Sequence, residues 1–438
     1  MSQNTTPFRL VVGLEVHVQL LTKSKLFCGC TTQFGLPPNT ATCPICIGMP
    51  GVLPVMNRTA FELGMKAALA LNCNIARHTK WDRKNYYYPD LPKNYQISQY
   101  DQPMSYEGYL EITTEQGTKK VGIIRAHLEE DAGKMMHDES GLGKDSMVDL
   151  NRAGTPLLEI VSHPDITSGE EVKAYLEEIR LLLREIGVSD CEMQEGSLRV
   201  DANVNVNFEY DGKKVATPIV EVKNVNSIRA VERAVQYEAQ RQYDQFQVDH
   251  IVMSPTNKVT AKWIDETGKT EVLRRKEEAA DYRYFPEPDL VTVEVDEAWL
   301  ERAKNSLGEL PSAKRDRFLK EYQLPAYDAK QLVLQGGAFC AYFEQAAKSS
   351  GDAKLASNWC LNQVMQLLNE RGMEIKDFPL TSDRLASLLV LIKKYNINMA
   401  RSKDAFAQLL ETNETVEAII KRLGLDAVSY THLPSPRD

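Results

Sequence analysis

Polar and apolar residues alternate strictly through Val11-Val12-Gly13-Leu14-Glu15-Val16-His17-Val18-Gln19-Leu20. A strand is predicted, with Val12, Leu14, Val16, Val18 and Leu20 facing a core and Glu15 and His17 side by side on the other face. The pattern returns in Ser197–Phe208, where Arg199, Asp201, Asn203, Asn205 and Asn207 occupy one face and mainly apolar residues the other. Thr167-Ser168-Gly169-Glu170-Glu171 predicts a helix start, with Ser168 as N-cap and Glu171 closing a capping box. Val172, Tyr175, Leu176, Ile179, Leu182, Leu183 and Ile186 follow at helical spacing, and Gly187 ends the run. Asn226-Ser227 predicts a second cap, before a helix burying Val231, Ala234 and Val235 and presenting Arg229, Glu232, Arg233 and Glu238 as its polar face.

Strands are seldom joined through regular helices, so the fold class predicted is α+β with a mainly antiparallel sheet rather than a doubly wound one. The two prolines of Asp281-Tyr282-Arg283-Tyr284-Phe285-Pro286-Glu287-Pro288-Asp289 mark an extended boundary. Beyond it the periodicity is helical, as in Arg384–Ile392. A sheet-bearing domain is therefore expected over 1–290 and an all-α region after it. The last stretch, 428–438, carries two prolines without helical pattern and reads as a frayed or foreign tail.

Length and charge narrow the picture. A chain of 438 residues with 43% hydrophobic content is expected to form two or three globular domains. A net charge of −9 argues against a protein held to nucleic acid by uniform positive charge. No apolar run reaches the ~20 residues of a membrane span, and the first ten residues lack a signal peptide's apolar centre. A cytoplasmic protein without membrane contact is expected.

Eight cysteines are too few for a disulfide scaffold, yet four fall as Cys28-Gly29-Cys30 and Cys43-Pro44-Ile45-Cys46. Two short turns of this kind suit a tetrahedral structural zinc. Cys73, Cys191, Cys340 and Cys360 stand alone and are expected in the core.

Further carboxylates sit in apolar strands: Glu129 and Glu130 in His127-Leu128-Glu129-Glu130-Asp131, where they take different directions, Glu159 in Leu157–Val161, and Glu221 in Thr217–Asn224. An isolated carboxylate in such a setting is costly without a partner. Together with Asp201 they yield Glu15, His17, Glu129, Glu130, Glu159, Asp201 and Glu221 as candidates to converge on divalent cations. Mostly oxygen donors favour Mg²⁺ or Mn²⁺, and phosphoryl transfer is the chemistry that most needs them. His127 and His163 are read as core histidines. Between the strands, Lys80–Pro103 interleaves basic residues with five tyrosines, a surface suited equally to phosphates and bases or to a protein partner.

The runs GLEVHVQL, DRKNYYYPDLPKNYQISQYDQP, HLEEDAGK, DLNRAGTPLLEIV, EGSLRVDANVNV, EVKNVNS and DYRYFPEPDL resemble the B subunits of the tRNA-dependent amidotransferases over about residues 9–427. The resemblance implies a cradle-shaped domain related to glutamine synthetase over 1–290, a helical domain over 291–375, and the start of a YqeY-like tail over 376–427. Members continue past residue 438, so the tail is expected to be incomplete. It implies ATP-dependent amidation of Glu-tRNA(Gln) or Asp-tRNA(Asn), in which the side-chain carboxylate is phosphorylated and ammonia displaces phosphate. His17, Glu129 and Glu159 would hold a standing Mg²⁺, and Glu15, Glu130, Asp201 and Glu221 a second ion arriving with nucleotide. Glu130, Lys84 and Arg199 would serve catalysis, and Lys93 and Asn203 would lie near the cofactor. The cysteine quartet matches a zinc-bearing branch of the family. No glutaminase motif is present, so ammonia would come from the amidase partner, the A-type subunit, joined by the small C-type subunit. Two other readings stay open: a zinc-containing tRNA- or protein-binding scaffold, and a stand-alone carboxylate-amine ligase using free ammonia.

Overall fold

The computed structural model describes residues 8–137, 146–275 and 281–426. The 428–438 tail lies outside them. The chain divides into two compact units, the first ending at Gly308 and the second beginning at Glu309.

A ten-stranded sheet organises the first unit, in the order Lys269–Arg275, Val259–Ile264, Val220–Lys223, Leu198–Tyr210, Arg9–Gln19, Pro156–Ser162, Gly117–Glu130, Ser105–Thr114, Asn74–Ile75, with Lys213–Ala216 paired to Leu198–Tyr210. Val220–Lys223 and Val259–Ile264 pair in parallel, and the central pairs are antiparallel. The alternation expected along Arg9–Gln19 is present: Val12, Leu14, Val16 and Val18 are fully buried while Glu15 and His17 are half-buried on the other face.

Three helices cover the apolar face. Arg58–Ala70, which the sequence pattern did not disclose, sets Gly64 against Leu128 and Met104. Gly169–Glu185 is capped by Ser168, whose Oγ accepts the Glu171 amide at 3.1 Å. The Glu171 carboxylate accepts the amide of Thr167 rather than that of Ser168, and also binds Lys119. Gly187 follows in a left-handed conformation, at φ +68°. Ile228–Asp249 is capped by Ser227 and packs Tyr243 and Phe246 on Phe208.

One residue of that third helix differs from expectation. Glu238 is fully buried, not part of a solvated face. It accepts from Arg241 at 2.6 and 2.9 Å, from Gln242 at 2.9 Å and from Thr270 at 2.6 Å. The partner from the Lys269–Arg275 strand is invisible to helical periodicity. Cys73, Cys191, Cys340 and Cys360 are buried as expected.

The segment around 281–289 is not a free boundary. Phe285–Pro286 pairs with Asp82–Asn85, which pairs with Tyr95–Ser98, forming a small three-stranded sheet. Arg83 grips Glu287 through two bonds of 2.6 and 2.8 Å, and Tyr284 stacks on Tyr100 at 4.1 Å. The following helix, Glu297–Asn305, also belongs to the first unit, with Trp299 against Phe61.

The second unit is helical, from Pro311–Glu321 to Val416–Arg422, with one π-turn at Cys360–Val364. Phe318 and Phe343 meet in its core, and the helix read from Arg384–Ile392 spans Ser382–Tyr395. Among the described residues no helix is long and apolar enough to cross a membrane.

Glu238→Ala would strand three donors, so it should destabilise the first unit by about 3 kcal/mol, the scale of a broken buried ion pair. Gln240→Ala, on the exposed side of the same helix, should change stability by less than about 0.5 kcal/mol. Denaturant midpoints of the first unit's transition check both.

Candidate active site

Register builds the site. In antiparallel pairs, directly opposed residues share a face, and His17 lies opposite both Arg199 on one side and Glu159 on the other. Glu159 in turn lies opposite His127. One step along, Glu15 faces Asp201, and Asn203 faces Glu221.

Two clusters result. Ligand atoms of His17, Glu129 and Glu159 lie within 4.8 Å of one another, as do those of Glu15, Asp201 and Glu221. His17 Nε2 is 3.5 Å from Glu159 and 3.8 Å from Glu129. Burial pulls the imidazole down, but the hydrogen bond to Glu159 and the charges of Glu159, Glu129 and Asp201 hold it up at about 9. Burial and the charge of Glu159 push the Glu129 carboxyl above its ordinary range. One imidazole nitrogen and two carboxylates so compressed suit a divalent cation. The second cluster is all oxygen, with Lys223 ion-paired to Asp201 and, at 3.1 Å, to Glu221. Asn203 donates to Glu15 at 2.8 Å.

Glu130 stands apart from the cluster expected to include it. Its carboxylate is paired with Lys93 and accepts the Ile97 amide at 3.1 Å. The physical reason is the strand's pleat: Glu129 and Glu130 are neighbours and project to opposite sides. Glu129 meets the first cluster and Glu130 the small sheet.

That sheet also brings in Lys84. Burial disfavours its ammonium, but Glu129 and Glu159 hold it charged well above the ordinary lysine range. Lys84 makes no ion pair with the described residues, so it answers the cluster through its field. Arg199 is anchored by the buried Asp131 at 2.8 Å, which also accepts from Gln19 at 2.9 Å.

His127 is buried, yet it is no plain core residue. Its Nε2 is 3.4 Å from Glu159 and its Nδ1 has no hydrogen-bond partner. Burial pushes its pKa down to about 3, so it stays neutral. His127 and Glu129 repeat the two-residue spacing of Glu15 and His17, but the meeting of His127 with Glu159 comes from strand register. His163, also expected in the core, is exposed.

The Sγ atoms of Cys28, Cys30, Cys43 and Cys46 gather within 4.8 Å. The Cys43 amide donates to Cys46 Sγ at 3.2 Å. A fully buried ammonium, Lys25, donates to the Ala41 carbonyl at 2.8 Å and to Cys46 Sγ at 3.6 Å. The hydrogen bond from Cys28 holds Cys46 down at about 4 against burial, with the Cys43 amide and Lys25 acting alike. Four sulfurs and a nearby cation fit a zinc ion with its thiolate charge partly balanced.

A family model described as the GatB/GatE catalytic domain matches residues 10–301, and one described as the GatB domain matches residues 341–433. The chain belongs to the GatB family. It is 51% identical over 431 residues to the B subunit of the aspartyl/glutamyl-tRNA(Asn/Gln) amidotransferase of Rhodopirellula baltica, covering 98% of this chain and 87% of the relative. The proteins of the same name in Caldicellulosiruptor saccharolyticus and Moorella thermoacetica are 48% and 46% identical, over 95% and 97% of this chain and 86% and 88% of theirs. Both clusters and the cysteine quartet fall within the span matched by the GatB/GatE catalytic domain.

Purified protein should carry one zinc per chain by elemental analysis. Cys43→Ser should lose it and melt at lower temperature, since a structural site contributes its binding energy to folding. Zinc-free wild-type protein with unchanged melting would contradict the assignment.

Proposed function

We propose that the chain is the B subunit of a tRNA-dependent amidotransferase and carries the activation and amidation steps on Glu-tRNA(Gln), Asp-tRNA(Asn) or both. The supporting observation is the pair of ligand clusters side by side on one sheet face, with Lys84 of the small sheet in the field of Glu129 and Glu159. A scaffold has no use for such a face. On this reading the first unit is a cradle of the glutamine synthetase type, and the A-type amidase subunit and the small C-type subunit complete the complex in the cytoplasm.

A carboxylate resists attack by ammonia because oxide is a poor leaving group, and transfer of the γ-phosphoryl group of ATP converts it to a mixed anhydride. Mg²⁺ held by His17, Glu129 and Glu159, and by Glu15, Asp201 and Glu221, would screen the triphosphate and stabilise its developing charge. Arg199, oriented by Asp131, adds a fixed guanidinium beside His17. Asn203 keeps Glu15 aimed into its cluster. Lys84 supplies positive potential where the phosphorylated carboxylate would lie. Ammonia bonding to the acyl carbon must shed a proton as phosphate leaves, and the departing phosphate oxygens can take it; Glu130, tied to Lys93 and the Ile97 amide, stands outside both clusters. Nothing in this chain resembles a glutaminase, so the ammonia is made by the partner.

In the assembled complex with ATP, glutamine and misacylated tRNA, Glu159→Gln should lower tRNA-dependent phosphate release at least about a hundredfold, the scale of lost transition-state stabilisation. Glutamine hydrolysis should persist. Unchanged phosphate release would remove the first cluster from the reaction.

A further inference from the structure

The two clusters balance their charge by different means. In the first, Lys84 reaches Glu129 and Glu159 only through its field, and no lysine nitrogen stands within ion-pair distance of either carboxylate among the described residues. In the second, a lysine does so. Lys223, at the end of the short Val220–Lys223 strand, reaches Asp201 and Glu221 together, and two of the three carboxylates are thereby tied to one ammonium. Lys258 approaches Glu221 at 3.8 Å, while Lys262, opposite Lys223 in the register, is paired with Glu271 at 3.1 Å.

Three carboxylates within 4.8 Å repel one another unless a cation lies among them. An ammonium and a divalent ion cannot share that place, since like charges a few ångströms apart repel strongly where water is scarce. The Lys223 side chain is about 40% exposed, so its four-carbon stem has open space to swing into.

We infer that Lys223 is a displaceable counter-cation of the Glu15, Asp201 and Glu221 cluster: it holds the place of the second divalent ion and yields it when nucleotide brings one. The inference rests on the reading of this cluster as an ion site. It makes Lys223 a positioning residue that couples ion loading to nucleotide. The first cluster, lacking such a competitor, loads independently. Once displaced, the ammonium remains on the same edge, within reach of phosphate oxygens that accompany the ion.

The test counts Mn²⁺ bound to the chain by electron paramagnetic resonance, with and without a non-hydrolysable ATP analogue. Wild type should take one ion tightly and a second only with the analogue. Lys223→Met should bind the second ion without nucleotide at least about tenfold more tightly than wild type, the weight of one removed like-charge contact. Lys223→Gln should do the same, and Lys223→Arg, which keeps the charge, should resemble wild type. If the analogue still brings a second ion to wild type but the neutral variants gain nothing without it, the inference on Lys223 is wrong and the ion site stands. If no protein takes a second ion even with the analogue, the reading of the cluster itself fails, and the inference with it.

Discussion

The antiparallel register of the Arg9–Gln19 strand is the constraint on which everything else depends. It is paired on both sides, so the two candidate ligands it carries are each matched twice: His17 with Arg199 and with Glu159, Glu15 with Asp201 and with Val161. A slip of one residue would turn Val12, Leu14, Val16 and Val18 outward and bury the ligands. The slip is opposed by the helices on the apolar face and by single bonds such as that from the Leu14 amide to Ser162 Oγ at 2.9 Å. Core packing and ligand geometry are therefore one specification. A sequence change that loosened the valine row would misplace the carboxylates without touching them.

The same economy links the cysteine loop to the acidic face. Gly48, two residues after Cys46, has φ +72°, and a Cβ there would lie 2.5 Å from the Lys93 side chain. The turn closing the cysteine knuckle is thus packed on the lysine that pairs with Glu130. Asn39 and Asn151 bind the loop to residues 148–151, the approach to the strand that bears Glu159. A metal at the quartet would stiffen a wall of the candidate site.

What the sequence made legible was periodic. Alternation disclosed the strands at Arg9–Gln19 and Leu198–Tyr210, capping residues disclosed the helices after Ser168 and Ser227, and ligand spacing disclosed the quartet. What stayed hidden was pairing between distant segments. The burial of Glu238 depends on Thr270, the divergence of Glu130 from Glu129 on Lys93 and Ile97, and the strap at 285–286 on Arg83, which lies 204 residues before Glu287 in the chain. His127 was hidden for a different reason. Burial was foreseen, but burial beside Glu159 is a property of the register and not of the residue. The family resemblance supplied roles that periodicity could not, and the geometry separated them into two clusters and a lysine-bound Glu130.

Charge also sets an order of events. The chain is at −9 overall, and its candidate site gathers Glu15, Glu129, Glu159, Asp201 and Glu221 on one face. A triphosphate and an RNA end are both polyanions, and each would be repelled by that face alone. Arg199 and Lys223 are already paired with carboxylates of the site or its margin, and Lys84 acts on Glu129 and Glu159 only through its field. On the proposed reading, divalent cations entering before or with the nucleotide would offset that repulsion. Ion loading then favours substrate binding, and the lysine that occupies one cluster determines when it takes place.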